Sequence, residues 1–216
     1  DEEPPEQEGV AVDAANLHSV LSGEDPRNGR RVAAANRKLP GFDATFSAPK
    51  SVSLLHALGS DRVRGEVAAA HDAAVDAALG YLERQAAFTR TGRDGVHRVS
   101  SSGLVAAAFR HRTSRAGDPQ LHTHVLIANL ARGADRRWRT LDGRGLFLHK
   151  MDAGAVYQAQ LRAELTRRLG VEWNQPTNGL AEIAGVPRSV LRAFSRRRAE
   201  IVSALDARGE SSAKAA

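Results

Sequence analysis

The stretch HRTSRAGDPQLHTHVLIAN, residues 111–129, holds three of the eight histidines in a chain of 216 residues. Its second half runs into Val, Leu and Ile, of which the β-branched Val and Ile favour β-strands. Because alternate residues of a strand lie on one face, His122 and His124 project together and Thr123 projects from the opposite face. The stretch therefore predicts a strand that presents a pair of imidazoles on one side.

A second strand is predicted at 102–113, and the polar loop SRAGDPQ joins it to a strand at 121–132. Strands joined by so short a loop pair in antiparallel fashion, and one register places His111 opposite His122. Cβ atoms of such cross-strand neighbours lie about 4.5 to 5.5 Å apart. The three imidazoles then form a three-nitrogen metal site whose remaining coordination positions stay open for water or substrate.

This metal site has two alternatives. Single histidines on strands are commonly ordinary structural residues, although three in matching parity favour a metal. A cupin-like site also uses an H-x-H strand, but it needs a glutamate a few residues further on. The chain has Asn129 in that region and no carboxylate before Asp135. It also has no cysteine, so any metal must use His, Asp or Glu.

Asp43 is the next candidate for the site. The segment GFDATFS, residues 41–47, alternates as a strand does and sets Asp43 on the face away from Phe42 and Phe46. A carboxylate beside the histidines would hold one imidazole in the right tautomer, or accept a proton from a nucleophile. The alternative is a solvated carboxylate at the edge of a sheet.

The charge distribution favours a polyanionic partner. Residues 1–26 hold eight acidic residues and no Lys or Arg, so residues 27–216 hold 31 basic and 17 acidic residues, a net charge of +14. Nucleic acid is the partner most consistent with this surplus, and a compositional bias toward Arg and Ala is the alternative. No stretch approaches the roughly 18 to 20 apolar residues that span a bilayer, so we expect a cytoplasmic protein without a membrane partner.

We predict an α+β fold with an antiparallel sheet around the histidines and helices packed on it. The predicted helices are 12–23, one within 47–59, 61–85, 150–170 and 187–205, and the further strands are 86–90, 95–99 and 136–142. In the second helix, Ser47 is the expected N-cap and Pro49 lies in the first turn. The predicted organisation is a partly flexible acidic segment at 1–26, a folded domain at 27–205 and a polar tail at 206–216.

Two long segments, GFDATFSAPKSVSLLHALG (41–59) and HRTSRAGDPQLHTHVLIAN (111–129), resemble the paired motifs of conjugative relaxases of the TrwC/TraI (MobF) type. These relaxases belong to the HUH endonuclease superfamily. LRAFSRRRAEI (191–201) is similar to a segment downstream of the family's metal motif, and the resemblance covers about residues 17–205. It implies a five-stranded antiparallel sheet in the complete family fold, with helices packed on it.

The resemblance implies a relaxase domain that nicks one strand of transfer-origin DNA, in single-stranded and hairpin form, by transesterification to a tyrosine. His111, His122 and His124 would hold one divalent ion, Mg, Mn or Zn, which polarises the scissile phosphate. Asp43 matches the carboxylate that supports this site. Accessory transfer proteins and a C-terminal helicase domain of the full-length protein are the further partners that it implies.

The resemblance also implies contacts with the DNA backbone. Arg115 matches a basic residue close to the DNA phosphate, and Lys50 and Ser51 lie where a helix N-terminus can meet phosphate. Arg162 and the arginines at 196–198 lie on predicted helices that would flank the DNA strand. A solvated helix charge is an equal alternative for these arginines.

The family's nucleophilic tyrosines lie near the N-terminus, before the region that matches Asp1. The chain has only Tyr81 and Tyr157, and helical periodicity places each on an apolar face that favours the core. We therefore expect residues 27–205 to be a relaxase domain lacking its tyrosine segment, which binds metal and single-stranded DNA without nicking. The alternatives are a replication-initiation or transposase-type HUH nuclease, whose tyrosine usually follows the histidine motif, and a non-catalytic DNA-binding module.

Overall fold

The computed structural model of the protein describes residues 12–32, 39–196, 199–200 and 202–203. Part of the predicted acidic segment (1–11) and the whole predicted polar tail (206–216) lie outside the described residues. Within them the fold is α+β, with five α-helices and seven strands. The predicted fold class is confirmed.

The helices and strands have these bounds. The helices are α1 (Ala14–Ser22), α2 (Lys50–Leu58), α3 (Asp61–Ala86), α4 (Arg144–Leu169) and α5 (Arg188–Ala193). The strands are β1 (Gly41–Ser47), β2 (Phe88–Thr91), β3 (His97–Ser100), β4 (Ala106–Thr113), β5 (Pro119–Ala128), β6 (Ala131–Arg132) and β7 (Trp138–Arg139). Among the residues that the structure describes, no helix combines the length and the apolar character needed to cross a membrane.

The sheet that carries the histidines has three strands in the order β1-β5-β4. Residues 114–118 join β4 to β5, and so short a connection requires antiparallel pairing. In this connection Ser114 N donates to Asp118 O at 2.9 Å, and Gly117 takes a left-handed φ of 76° that favours glycine. β2 pairs with β3, and β6 with β7, in two further antiparallel hairpins.

The described residues divide into two compact units. The first unit comprises the described parts of 1–44, 83–108 and 125–148, and the second unit those of 45–82, 109–124 and 149–216. His111, His122 and His124 all belong to the second unit, as do the side chains that contact them below.

Each unit has its own buried residues. In the first unit Ala128 and Leu130 are buried against a partly buried set, Val20, Leu21, Val32, Val105 and Trp138. In the second unit α3 and α4 bury residues at a spacing of three or four, as amphipathic helices do. These are Val67, Ala70, Ala74, Ala78 and Leu82 of α3, and Ala153, Tyr157, Leu161 and Leu165 of α4.

Several predicted helix ends need correction. Ser47 is not an N-cap: it is the last residue of β1, and Pro49 takes the N-cap position of α2 without a side-chain hydrogen bond. The single helix predicted at 187–205 is interrupted: α5 ends at Ala193, and Phe194 leaves helical geometry with φ −100° and ψ 24°. Among the described residues beyond it, 196, 199–200 and 202–203 are again helical.

Two predicted strands are shorter than expected. The strand at 121–132 stops at Ala128 because Asn129 bridges two segments, donating through Nδ2 to Leu39 O and accepting through Oδ1 from Leu141 N, each at 3.0 Å. The strand at 136–142 shrinks to β7 because Arg136, with φ 60°, lies in a turn whose N–H donates to Gly133 O at 2.8 Å.

A hairpin between α4 and α5 was not predicted. Asn178 and Gly179 both have left-handed φ values, 50° and 79°, as a type I′ turn requires. On either side, Thr177 N donates to Leu180 O at 2.8 Å, and Leu180 N donates back to Thr177 O at 3.0 Å. The Asn-Gly pair was the signal for this turn.

Candidate metal centre

Three imidazoles converge where β4 and β5 lie side by side. The rings of His111 and His122 are 5.1 Å apart between centroids, those of His111 and His124 are 5.1 Å apart, and those of His122 and His124 are 5.2 Å apart. One ring nitrogen of each lies within 4.8 Å of the other two. This is the convergence across two strands that the parity of the three histidines predicts.

Burial follows the alternation of β5. Leu121 and Thr123 are 1% and 3% exposed, whereas His122 and His124 are only half-buried and His111 is exposed. The apolar face of the strand therefore anchors it in the core, and the imidazole face stays within reach of solvent and of a large ligand.

The hydrogen-bond partners of the two β5 rings bear on where each ring carries its proton. His122 Nδ1 lies 2.9 Å from Gln120 O, and a carbonyl can only accept, so Nδ1 carries the proton and Nε2 keeps a lone pair. His124 Nδ1 lies 3.1 Å from Thr45 Oγ1. In the tautomer in which the hydroxyl accepts from Nδ1–H, the lone pair of His124 lies on Nε2. Ligand histidines in metal sites usually have such partners.

The geometry of this donor set suits a divalent ion. Two imidazole nitrogens bound to one ion at about 2.1 Å can be at most about 4.2 Å apart. Around a tetrahedral ion that separation is about 3.4 Å. The nitrogens lie within 4.8 Å of one another, so the rings need to close by as much as about 1.4 Å around such an ion. His111 is the exposed member of the three, so its side chain has the most room to rotate toward the other two rings.

Asp43 lies on β1 and is exposed. It precedes Thr45 by two residues, so the two side chains share one face of that strand. Its role as the supporting carboxylate stays a prediction.

The predicted phosphate contact of Ser51 needs correction. Ser51 is 1% exposed. Its backbone N–H donates to Glu182 Oε2 at 2.8 Å, and its hydroxyl accepts from Ile183 N at 2.8 Å. A carboxylate from the hairpin thus occupies the helix N-terminus that the sequence analysis assigned to phosphate, because a helix N-terminus attracts any anion.

Lys50 is half-buried, and its ammonium group forms a hydrogen bond within the protein. Its Nζ donates to Pro119 O at 2.8 Å. Burial lowers the pKa of Lys50, and the nearby carboxylates of Asp118 and Glu182 act in the opposite direction. Its contact with DNA phosphate stays a prediction.

The predicted arginine contacts fall in different surroundings. Arg115 is exposed in the connection between β4 and β5, whereas Arg162 donates to Gly179 O at 2.8 Å. Arg196 Nε donates to Asp118 Oδ1 at 2.9 Å, and that carboxylate is 2% exposed. The other two arginines of 196–198 lie outside the described residues. The DNA contacts of Arg115 and Arg162 stay predictions.

The two tyrosines differ from each other. Tyr157 is in the core, as predicted, at 1% exposure, and burial raises the pKa of its phenol. Tyr81 is only half-buried, which corrects the prediction of a core position. Its hydroxyl donates to Asp152 Oδ2 at 3.0 Å and lies 3.1 Å from His149 Nδ1. Partial burial and the Asp152 carboxylate raise the pKa of Tyr81.

Two residues near the histidines were missed. Thr45 shares the strand face of Asp43, so the alternation of GFDATFS offered it as a candidate. His71 lies within the apolar helix α3, and its Nε2 is 2.7 Å from Thr123 Oγ1. The sequence around His71 carries no signal for that contact.

Known proteins provide an independent comparison. The TrwC relaxase family model matches residues 3–216. The multifunctional conjugation protein TraI of Escherichia coli is 36% identical over 201 residues, and TraI of Escherichia coli strain K12 is 35% identical over the same length. Each alignment covers 88% of this chain and 10% of the relative, so the chain spans about a tenth of the length of these relatives.

Solved structures of the conjugative relaxase TrwC with oriT DNA are also similar. A metal-free complex has a TM-score of 0.82 at 35% identity, covering 93% of this chain and 70% of that chain. A copper-bound complex has a TM-score of 0.84 at 35% identity, with 93% and 69% covered. A complex with a 27-mer that comprises the recognition hairpin and the cleavage site has a TM-score of 0.82 at 35% identity, with 93% and 72% covered. With a family match over nearly its whole length, the chain belongs to the TrwC relaxase family.

Proposed function

We propose that the chain is the relaxase domain of a conjugative transfer protein, which nicks one strand of transfer-origin DNA with the aid of one divalent ion. The observation that carries the proposal is the convergence of three ring nitrogens within 4.8 Å. It is supported by the relaxase TrwC, whose structures contain oriT DNA in metal-free and copper-bound forms. The substrate is single-stranded DNA beside a hairpin, by analogy with the 27-mer bound to TrwC.

In this mechanism His111, His122 and His124 hold the ion, which is Mg, Mn or Zn. When bound, such an ion supplies charge stabilisation at a non-bridging phosphate oxygen. The chain itself positions the rings, because Gln120 O fixes the proton of His122 on Nδ1 and the Thr45 hydroxyl holds the corresponding nitrogen of His124. The Asp43 carboxylate would supply a further acceptor on the strand face of Thr45.

The covalent step needs a phenol that reaches phosphorus. Tyr157 is buried, and the Tyr81 hydroxyl donates a hydrogen bond to Asp152. Neither tyrosine is therefore the nucleophile in this proposal. A replication-initiation or transposase-type nuclease would use a tyrosine after the histidines, and within residues 125–216 the one tyrosine, Tyr157, is buried. This burial favours the relaxase over that alternative.

Residues 1–216 are therefore expected to bind DNA without forming a phosphotyrosyl bond through Tyr81 or Tyr157. A labelled origin oligonucleotide is incubated with the chain and Mn²⁺ and run on a denaturing protein gel. The expected result is no covalent band. A covalent band that disappears with Tyr81→Phe would place the nucleophile on α3 and contradict the prediction.

The proposed function is tested by strand-specific binding. Single-stranded oligonucleotides that tile both strands of the DNA flanking the gene are titrated with the chain. One window on one strand should bind at least about a hundredfold more tightly than its complement, since specific sites exceed non-specific ones by large factors. Equal binding of every oligonucleotide would reduce the chain to a non-catalytic single-stranded DNA-binding module.

DNA affinity should fall steeply as salt rises. Aromatic residues are 5% of the chain, so phosphate contacts should outweigh base stacking. Each phosphate that is neutralised contributes about 0.7 to the slope of log affinity against log salt for single strands. Arg115→Ala should lower that slope by about 0.7, because Arg115 is exposed on the β4–β5 connection.

A matched control for Arg115 lies on α3. Arg64 pairs with Asp61 at 3.0 Å, and Arg64→Ala should leave the salt slope unchanged. Fluorescence anisotropy at several salt concentrations measures both slopes. A slope that Arg115→Ala does not alter would remove this residue from the DNA interface.

Thr45→Val should weaken metal binding by about 10- to 100-fold, the range seen when partners of ligand histidines are removed. The change deletes the hydroxyl that lies 3.1 Å from His124 Nδ1 and keeps the side-chain volume. Thr45→Ser keeps the hydroxyl and should bind Mn²⁺ nearly as the wild type does. Titration calorimetry compares the three proteins, and equal affinity in all of them would show that Thr45 does not orient His124.

A further inference from the structure

Three polar side chains are joined in the core of the second unit, behind the histidines. His71 of α3 lies with Nε2 2.7 Å from Thr123 Oγ1 and with Nδ1 2.8 Å from Tyr157 OH. His71 is 0% exposed, Tyr157 of α4 1% and Thr123 of β5 3%. The proposed reaction uses none of these three groups.

Burial of these groups has a cost that apolar residues would avoid. A buried polar group without a hydrogen bond costs about 1–3 kcal/mol. On the same face of β5, Leu121 is apolar and 1% exposed, so a valine at position 123 would suit that face without needing a partner. Two hydrogen bonds satisfy the three groups here. Such polar contacts in a core can fix one arrangement of the elements that they join.

The contact joins the core to the strand segment that carries two metal ligands. Thr123 lies between His122 and His124, and its side chain points to the opposite face. A strand has one backbone for both faces. Fixing the Thr123 hydroxyl therefore fixes how far this part of β5 lies from the core and how the strand is rotated about its own axis, and with them the placement of the two imidazoles. Apolar packing of Leu121 alone is non-directional and does not set that rotation.

The same part of α4 also contacts β1, the strand whose Thr45 side chain contacts His124. Gln158 Nε2 donates to Ser47 O at 3.0 Å, at the end of β1. The Phe46 ring lies 5.5 Å from the Tyr157 ring between centroids. Two residues before Ser47, the Thr45 hydroxyl contacts His124 Nδ1. Adjacent residues of α4 thus anchor both β1 and, through His71, β5.

We infer that Tyr157, His71 and Thr123 form a positioning network that sets the spacing and rotation of His122 and His124, and thereby the affinity and geometry with which the centre binds metal. The inference rests on the metal role of the histidines in the proposed function. The three residues touch neither metal nor DNA, and they act through the backbone of β5.

The test compares Thr123→Val with Thr123→Ser. Valine keeps the shape of threonine and removes the hydroxyl, whereas serine keeps the hydroxyl and removes a methyl group. The probes are Mn²⁺ in titration calorimetry and Cu²⁺ in electron paramagnetic resonance. Thr123→Val should bind Mn²⁺ about tenfold more weakly, at the low end of the range for groups that orient ligands, and should shift the Cu²⁺ spectrum. Thr123→Ser should retain the wild-type affinity and spectrum.

Two further variants separate positioning from general loss of stability. Leu165→Ala removes a 0% exposed side chain of α4 away from the network; it should lower the unfolding midpoint and leave the Mn²⁺ affinity unchanged. Tyr157→Phe breaks only the far end of the network, keeps the aromatic ring in the core, and should weaken Mn²⁺ binding in the same direction as Thr123→Val. If Thr123→Val does not fold, the Mn²⁺ affinity of Tyr157→Phe tests the inference.

The outcomes separate this inference from the proposed function. If Thr123→Val and Tyr157→Phe both bind Mn²⁺ with wild-type affinity and spectrum, the network is core packing only and the inference is wrong, while the metal centre stands. If the wild type itself binds Mn²⁺ no better than His122→Ala/His124→Ala, the metal centre fails and the inference fails with it.

Discussion

Replacing both His122 and His124 with alanine should raise the Kd for Mn²⁺ or Zn²⁺ by at least about a thousandfold, because two of three nitrogen ligands are lost and each contributes several kcal/mol. The loss follows from the convergence of the three ring nitrogens within 4.8 Å. The folding of the chain should change little, since His122 is only half-buried and His124 likewise. Titration calorimetry with each metal measures the change.

The matched control uses two histidines outside the centre. His18 on α1 and His97 on β3 are exposed, and His18→Ala/His97→Ala should bind metal with wild-type affinity. Zn²⁺ should bind more tightly than Mg²⁺, because imidazole is a softer ligand than the oxygen donors that Mg²⁺ prefers. Equal Kd values for the wild type and His122→Ala/His124→Ala would show that the triad holds no metal.

The part of the site that was predictable is the part that depends on local pattern. Strand β1 has the predicted bounds, 41–47, because its polar and apolar residues alternate with a period of two. The convergence of His111 with the H-x-H pair needed only that period and a short connection between two strands. Neither inference required knowledge of how distant elements pack.

The missed contacts join residues that are far apart in the chain. Thr45 and His124 are 79 residues apart, and His71 and Thr123 are 52 residues apart. The periodicity of a sequence cannot predict a contact between residues so far apart in the chain, because the packing of helices against the sheet decides which side chains meet. His71 lies on the apolar face of α3, so the sequence pattern does not distinguish it from the other core positions of that helix.

The error at Ser51 has a single physical cause. The helix dipole makes the N-terminus of α2 a site that attracts anions, and the prediction assigned it to DNA phosphate. The turn at Asn178 and Gly179 reverses the chain, and Glu182 then supplies the anion from within the protein, at 2.8 Å from Ser51 N. Recognising the Asn-Gly turn would have predicted a hairpin, but not the helix on which it packs.

The free energy of unfolding should fall as the pH is lowered from about 6.5 to about 4, with His71 contributing about 3 kcal/mol of that loss. Burial lowers the pKa of His71 from 6.5 to about 4, and the charges of Arg110, His122 and His56 act in the same direction against that of Asp72. The unfolded chain therefore binds a proton in this window that the folded chain does not. The stability from neutral His71 is fully present above pH 6.5 and is lost toward pH 4.

Urea unfolding at several pH values between 7 and 4.5 measures the slope for the wild type and for His71→Gln, whose amide does not titrate. The slope should be smaller in His71→Gln, whereas His97→Gln, at an exposed position of β3, should keep the wild-type slope. A residual slope is expected in His71→Gln, because burial also lowers the pKa of His56 and carboxylates become protonated in the same range. Identical slopes in the wild type and His71→Gln would mean that the imidazole takes up its proton inside the folded core, and that the hydrogen bonds to Thr123 and Tyr157 do not require a neutral ring.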